Sequence, residues 1–144
     1  MSSKSHVKTL FDYHWHTTQR LMDCAAKIEV DEYHASPGYG HGSIHDLLFH
    51  LLRTDRSWRL ALETGRQLAP IQPADFADLA ALRLGFAEEQ AAWDSMLGLL
   101  SAEAVGDAVE MTNWHGEPVT FMRWRVFQHL VPTACSTIPN LPPC

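Results

Sequence analysis

Apolar side chains recur every three or four positions along three long stretches of this chain, a spacing that places them on one face of a helix. In the first stretch, Leu10, Phe11, His14, Leu21, Cys24, Ala25 and Ile28 predict a helix over residues 5–28. In the second, Ile44, Leu47, Leu48, Leu51, Asp55, Trp58 and Leu62 follow the same rule. Ser43 stands where a side-chain oxygen accepts from a free first-turn amide, Asp46 adds anionic charge near the positive helix end, and Gly65 is a natural stop. A third face comes from Phe76, Leu79, Leu82, Phe86, Glu89, Ala92, Trp93, Met96 and Leu100, with Asp75 as the expected cap and Gly85 as a weak point. One-sided helices bury their stripes only against one another, so an all-α bundle is expected.

The breaks between these stretches agree. Residues 35–42 hold three Gly and one Pro in eight positions, a composition that no helix tolerates. Pro70 and Pro73 mark the second break. Beyond the third helix, Val109 and Met111 alternate with polar residues ahead of a turn at Gly116, which reads as a short hairpin across the bundle end. Phe121, Trp124, Val126, Phe127 and Leu130 then open a fourth helix with Thr120 as its cap, and Pro132 is expected to stop it after about three turns. The expected architecture is an up-and-down four-helix bundle over residues 1–131, with a short hairpin before a truncated fourth helix and an irregular Pro-rich tail over residues 132–144.

A chain of 144 residues suits one domain, and 46% apolar against 19% charged residues argues for a packed core. The net charge of −6, with 11 scattered Lys and Arg, offers phosphates no basic field, so nucleic acid is not an expected partner. No apolar run reaches the roughly 20 residues that cross a bilayer, so no membrane span is expected. Residues 1–8 lack the basic-then-apolar order of a signal peptide, and a cytoplasmic protein is expected. Cys24, Cys135 and Cys144, an odd number at wide spacing, fit neither a disulfide framework nor a paired-cysteine zinc knuckle, which points to a reducing compartment. The chain also carries nine His, the side chain that titrates near neutrality and most often ligates metals.

Four stretches sample the chain from residue 1 to 131: Phe11-Asp-Tyr-His-Trp-His-Thr-Thr-Gln-Arg-Leu21; Ser43-Ile-His-Asp-Leu-Leu-Phe-His-Leu-Leu52 with Asp55-Arg-Ser-Trp58; Asn113-Trp-His-Gly-Glu-Pro118; and Trp124-Arg-Val-Phe-Gln-His-Leu130. With the order of elements, they resemble the DinB-like family, also described as the YfiT-like metalloenzyme fold. The Ser-x-x-Asp-x-x-x-His block, with a Trp eight residues after its His, is the most specific part. The resemblance implies a His in the second helix and two residues one turn apart in the fourth, commonly His-x-x-x-His, around a divalent metal such as nickel or zinc. Residues at i and i+4 share a helix face, and a third ligand from a facing helix completes a triangle with an open position.

His50 matches the first implied ligand. The fourth-helix run begins at His129, but Thr133 and Thr137 stand at the two later positions, so two implied ligands are missing. His129 is then either a fallback ligand or a bundle-lining residue. Codons permitted for residues 132–142 give, in another frame, His-Gly-Met-Gln-His-His-Pro-Glu-Phe-Ala, close to the implied motif. A one-base deletion near codon 132 is therefore one origin for the tail.

Plainer readings stand beside these. From spacing alone His50 is a hydrogen-bonded core histidine. His14 and His16, flanking Trp15, have core or surface roles; His45 is expected to face solvent, and His41, ahead of the cap, is not expected to share a helix face with it. His6, His34 and His115 belong to the terminus, a loop and the hairpin. Asp55 and Arg56 either line a cleft or, as is usual for charges at a helix rim, are solvated, and Trp58, Trp93, Trp114 and Trp124 read as core or rim packing. Nothing resembles a nucleophile elbow, a phosphate loop or a dinucleotide fingerprint. Two functions remain open. The resemblance implies a metal-dependent enzyme, since the family includes thiol S-transferases and thiol-dependent isomerases that hold a small-molecule thiol against an electrophile. The alternative is a non-catalytic bundle acting as a homodimer or small-ligand binder.

Overall fold

A computed structural model describes residues 3–136, with side chains as far as Val131. The chain forms α1 (Ser3–Ala25), the short α2 (Val30–His34), α3 (Ile44–Thr64), α4 (Leu79–Leu99), the hairpin strands β1 (Ala108–Thr112) and β2 (Pro118–Met122), and α5 (Arg123–Ser136). The long helices α1, α3, α4 and α5 make an all-α four-helix bundle, and the hairpin precedes its last helix, as the apolar pattern implies. Val7, Phe11, Trp15 and Met22 of α1 meet Leu48, Leu51 and Leu52 of α3, Leu82, Phe86, Trp93 and Leu97 of α4, and Val126, Phe127 and Leu130 of α5 in one core.

Helix directions follow from which residues meet. Gly85 lies against Leu52 and Glu89 bonds Arg56, so α3 and α4 run in parallel. Asp23 pairs with Arg83 while Lys4 reaches the Gly98 carbonyl, so α1 opposes α4. The Arg123 amide bonds the Asp107 carbonyl and Phe127 meets Phe11, which starts α5 at the same end as α1. The connection over residues 65–78 thus returns the chain along the bundle, so the order is up, down, down, up and not the strict alternation expected from the sequence; a 14-residue connection is long enough to span the bundle.

Local chemistry explains the boundaries. Ser43 accepts from the Asp46 amide at 3.0 Å while the Asp46 carboxylate accepts from the Ser43 amide at 3.0 Å, a reciprocal capping box. Gly65 closes α3 at φ 71°, a left-handed conformation that favours glycine. Asp78, not Asp75, caps α4, because Pro73–Asp75 makes a separate single turn that brings Phe76 onto α3. The first helix ends at Ala25, and residues 30–34, left unassigned by the apolar pattern, form α2. Thr120 pairs with Glu110 inside the hairpin and so does not cap α5.

Two further expectations are corrected. Pro132 does not stop α5, whose backbone continues to Ser136. Proline removes one N–H from the helix ladder, and the carbonyl left without that partner belongs to Gln128, an exposed residue. Cys24 is disulfide-bonded, although cysteine spacing suggested no framework. The remainder of the expected tail, residues 137–144, lies outside the described residues. No described helix is long and apolar enough to cross a membrane.

Candidate functional site

His50 lies on the second turn of α3, partly buried, and its ring stacks on that of His41 with centroids 4.2 Å apart and planes 20° apart. The Gly-rich loop thus delivers His41 to the helix after all, onto His50 and not onto His45. Arg53, one turn on, donates from Nη2 to His50 Nδ1 at 3.3 Å. A guanidinium has only donors, so Nδ1 is the acceptor and the neutral ring carries its proton on Nε2. Burial lowers the His50 pKa, and His41 and Arg53 push it the same way. His129 is exposed on α5. Thr133 and Thr137 lie outside the residues whose side chains are described.

The deepest polar groups lie further along α3. Asp55, read from sequence as a rim charge, is 2% exposed, and its Oδ2 meets His14 Nε2 at 3.0 Å. Trp93 Nε1 donates to the Asp55 backbone carbonyl at 3.2 Å. Burial raises the Asp55 pKa, opposed by His14 and reinforced by Glu89. His14 Nδ1 has no hydrogen-bond partner among the described residues. Arg56 is no solvated rim charge either. Its Nε and Arg59 Nη2 both donate to Glu89 Oε1, at 2.8 and 2.7 Å, while Arg59 Nε donates to Oε2 at 2.8 Å.

His45, expected in solvent, is buried. Its Nε2 donates to the Phe76 carbonyl at 2.7 Å, which leaves Nδ1 to accept from the Tyr33 hydroxyl at 2.6 Å. Burial pushes the Tyr33 pKa up to about 12, so the hydroxyl stays a donor. This triad ties α2, α3 and the 65–78 connection together and uses every ring nitrogen. No residue spacing announces it, because its members come from three separate segments. Of the tryptophans, Trp93 is fully buried and Trp58 packs on Phe121, whereas Trp114 and Trp124 are largely exposed.

A metal on His50 would need the ring's other nitrogen to donate, commonly to a carboxylate or carbonyl, so that the ligating nitrogen is free of its proton. Here Nδ1 faces a guanidinium donor, the opposite polarity. Rings stacked face to face also present their nitrogens side by side and do not converge on one ion. Among the described residues no group of three or more His, Cys, Asp and Glu is gathered as a metal would require. The described side chains therefore do not fit the metal implied by the family resemblance. The family model described as the DinB family matches residues 1–131. No curated protein matches the chain.

Proposed function

This chain belongs to the DinB family, and from that premise we propose that it is a member with an incomplete metal centre, unable to carry out metal-dependent thiol transfer. The observation that supports this most is the Arg53 donor on His50 Nδ1. It holds the one histidine matching a family ligand in the tautomer that does not ligate through Nε2, beside a fixed positive charge that repels a divalent ion. The sequence adds to this, with Thr133 and Thr137 where the resemblance implies two further ligands. A hydroxyl is a poor substitute for imidazole toward nickel or zinc.

The test is to titrate the purified chain with nickel and with zinc, measure metal retained after dialysis, and assay conjugation of a small-molecule thiol to an electrophile. The expected result is substoichiometric retention and no metal-dependent rate. One tightly held ion per chain, lost in His50→Ala and accompanied by thiol conjugation, would refute the proposal. Sequencing the source gene addresses the origin of the tail: an alternate frame encoding the His-rich run from codon 132 supports a one-base deletion, and its absence removes that account.

A further inference from the structure

Away from His50, a cavity of about 250 Å³ opens between the first half of α1 and the last turns of α4. Val7, Phe11, Leu97 and Val105 give it buried apolar walls. At roughly 20 to 30 Å³ per non-hydrogen atom, that space suits a ligand of about ten such atoms.

The rim carries the polar groups. Lys8 is already paired with Asp12 at 2.8 Å. Lys4 differs, because its Nζ donates to the neutral Gly98 carbonyl at 2.9 Å and joins no ion pair among the described residues. An ammonium has three donors, so two remain for a ligand, and the carbonyl that steadies the cation does not neutralise it. Asp94, also on the rim, sets a limit in the other direction by repelling ligands of higher negative charge.

From this combination we propose that the cavity is a binding site for a small monocarboxylate with an apolar body, its carboxylate on Lys4 and its apolar part against Phe11, Val7 and Leu97. The inference is independent of the metal reading, since no residue of the cavity takes part in the His50 cluster.

The test is calorimetric titration of the full chain with octanoate and, separately, with 1-octanol, the neutral molecule of equal chain length. Saturable octanoate binding about fivefold tighter than octanol is expected, the scale of a partly solvated ion pair. Lys4→Met should abolish that preference while leaving the fold intact, because the residue lies in the first turn of α1. A side-chain carbon built on Gly98 meets no atom within 4 Å. Gly98→Leu therefore meets no clash at its first side-chain carbon, and because Gly98 lines the cavity the substitution should weaken both ligands. The proposal is overturned if octanoate shows no saturable binding up to about 5 mM, if the acid and the alcohol bind equally, or if Lys4→Met keeps the preference.

Discussion

Replacing Asp55 with Ala tests the claim that the buried contact between α1 and α3 is a paired one. The carboxylate and the imidazole are both almost wholly buried, with side-chain exposures of 4% and 1%. Removing one partner leaves a buried polar atom of the other unsatisfied, which costs about 1 to 3 kcal/mol. The loss is concentrated on His14, because Nδ1 already lacks a partner among the described residues and Asp55→Ala takes the partner of Nε2 as well. The Trp93 bond survives, since its acceptor is the Asp55 backbone carbonyl. Against a total stability of about 5 to 15 kcal/mol, the variant should unfold at a lower urea concentration. Asp55→Asn keeps an acceptor for Nε2 and should cost only about 1 kcal/mol. Its pH dependence carries a sign. Burial places the folded carboxyl above its ordinary value of 3.8, so folding favours the neutral acid, a contribution fully present below that value and lost as pH rises through the folded pKa. Asn mimics the neutral acid at every pH, so the cost of Asp55→Asn should shrink as the pH is raised above about 4. Urea titrations followed by tryptophan fluorescence across that range decide it. A cost below about 1 kcal/mol for Asp55→Ala, or an Asn penalty that grows with pH, would refute the reasoning.

Three further substitutions probe other parts of the bundle by the same unfolding measurement. Gly85→Ala should destabilise by about 1 kcal/mol despite better helix propensity, because the new carbon would lie 2.7 Å from Leu52 Cδ2 and 2.7 Å from Phe76 Cε1; a stabilised variant would mean that α3 and α4 part easily. Ser43→Ala removes half of the capping box and should cost about 1 kcal/mol, an expectation that fails if the midpoint does not move. Glu89→Gln turns one of the two oxygens that Arg56 and Arg59 share into a donor facing donors, for a loss of about 2 kcal/mol; an unchanged midpoint would show that the guanidiniums are satisfied by water.

What the sequence displays and what it conceals divide along a physical line. The caps at Ser43 and Gly65 are visible because each acts on backbone within one turn of itself. The cap of α4 is displaced to Asp78 because Pro73 starts its own turn, and two acidic residues three apart look equally able to serve. Buried polar contacts are hidden for another reason. His14 and Asp55 are 41 positions apart, Arg56 and Glu89 are 33, and His45 and Phe76 are 31. A polar residue at the edge of an apolar stripe looks the same whether it faces water or a partner on another helix. Asp55, Arg56 and His45 all fall under that ambiguity. For the metal site, His50 and His129 can be picked out by resemblance, but the orientation of Arg53 that sets the tautomer of His50 is a property of the fold.

The parallel course of α3 and α4 gives these pairs a structural task. A short turn between antiparallel helices fixes how they align, but the long return over residues 65–78 leaves that alignment open, and apolar stripes alone allow a slip of one turn, about 5.4 Å. Such a slip would draw the Glu89 carboxylate away from Arg56 and Arg59 and leave it charged in the core, and would part Trp93 from the Asp55 carbonyl. On the other side of α3, His14 holds α1 against the same Asp55. The register of three helices is thus set by the stretch of α3 from Asp55 to Arg59. His50 lies earlier on that helix, held by Arg53 and His41, and belongs to none of these contacts. The contacts that align this bundle are therefore separate from His50 and from the fourth-helix positions where the resemblance implies ligands, and the DinB architecture does not draw its register from them.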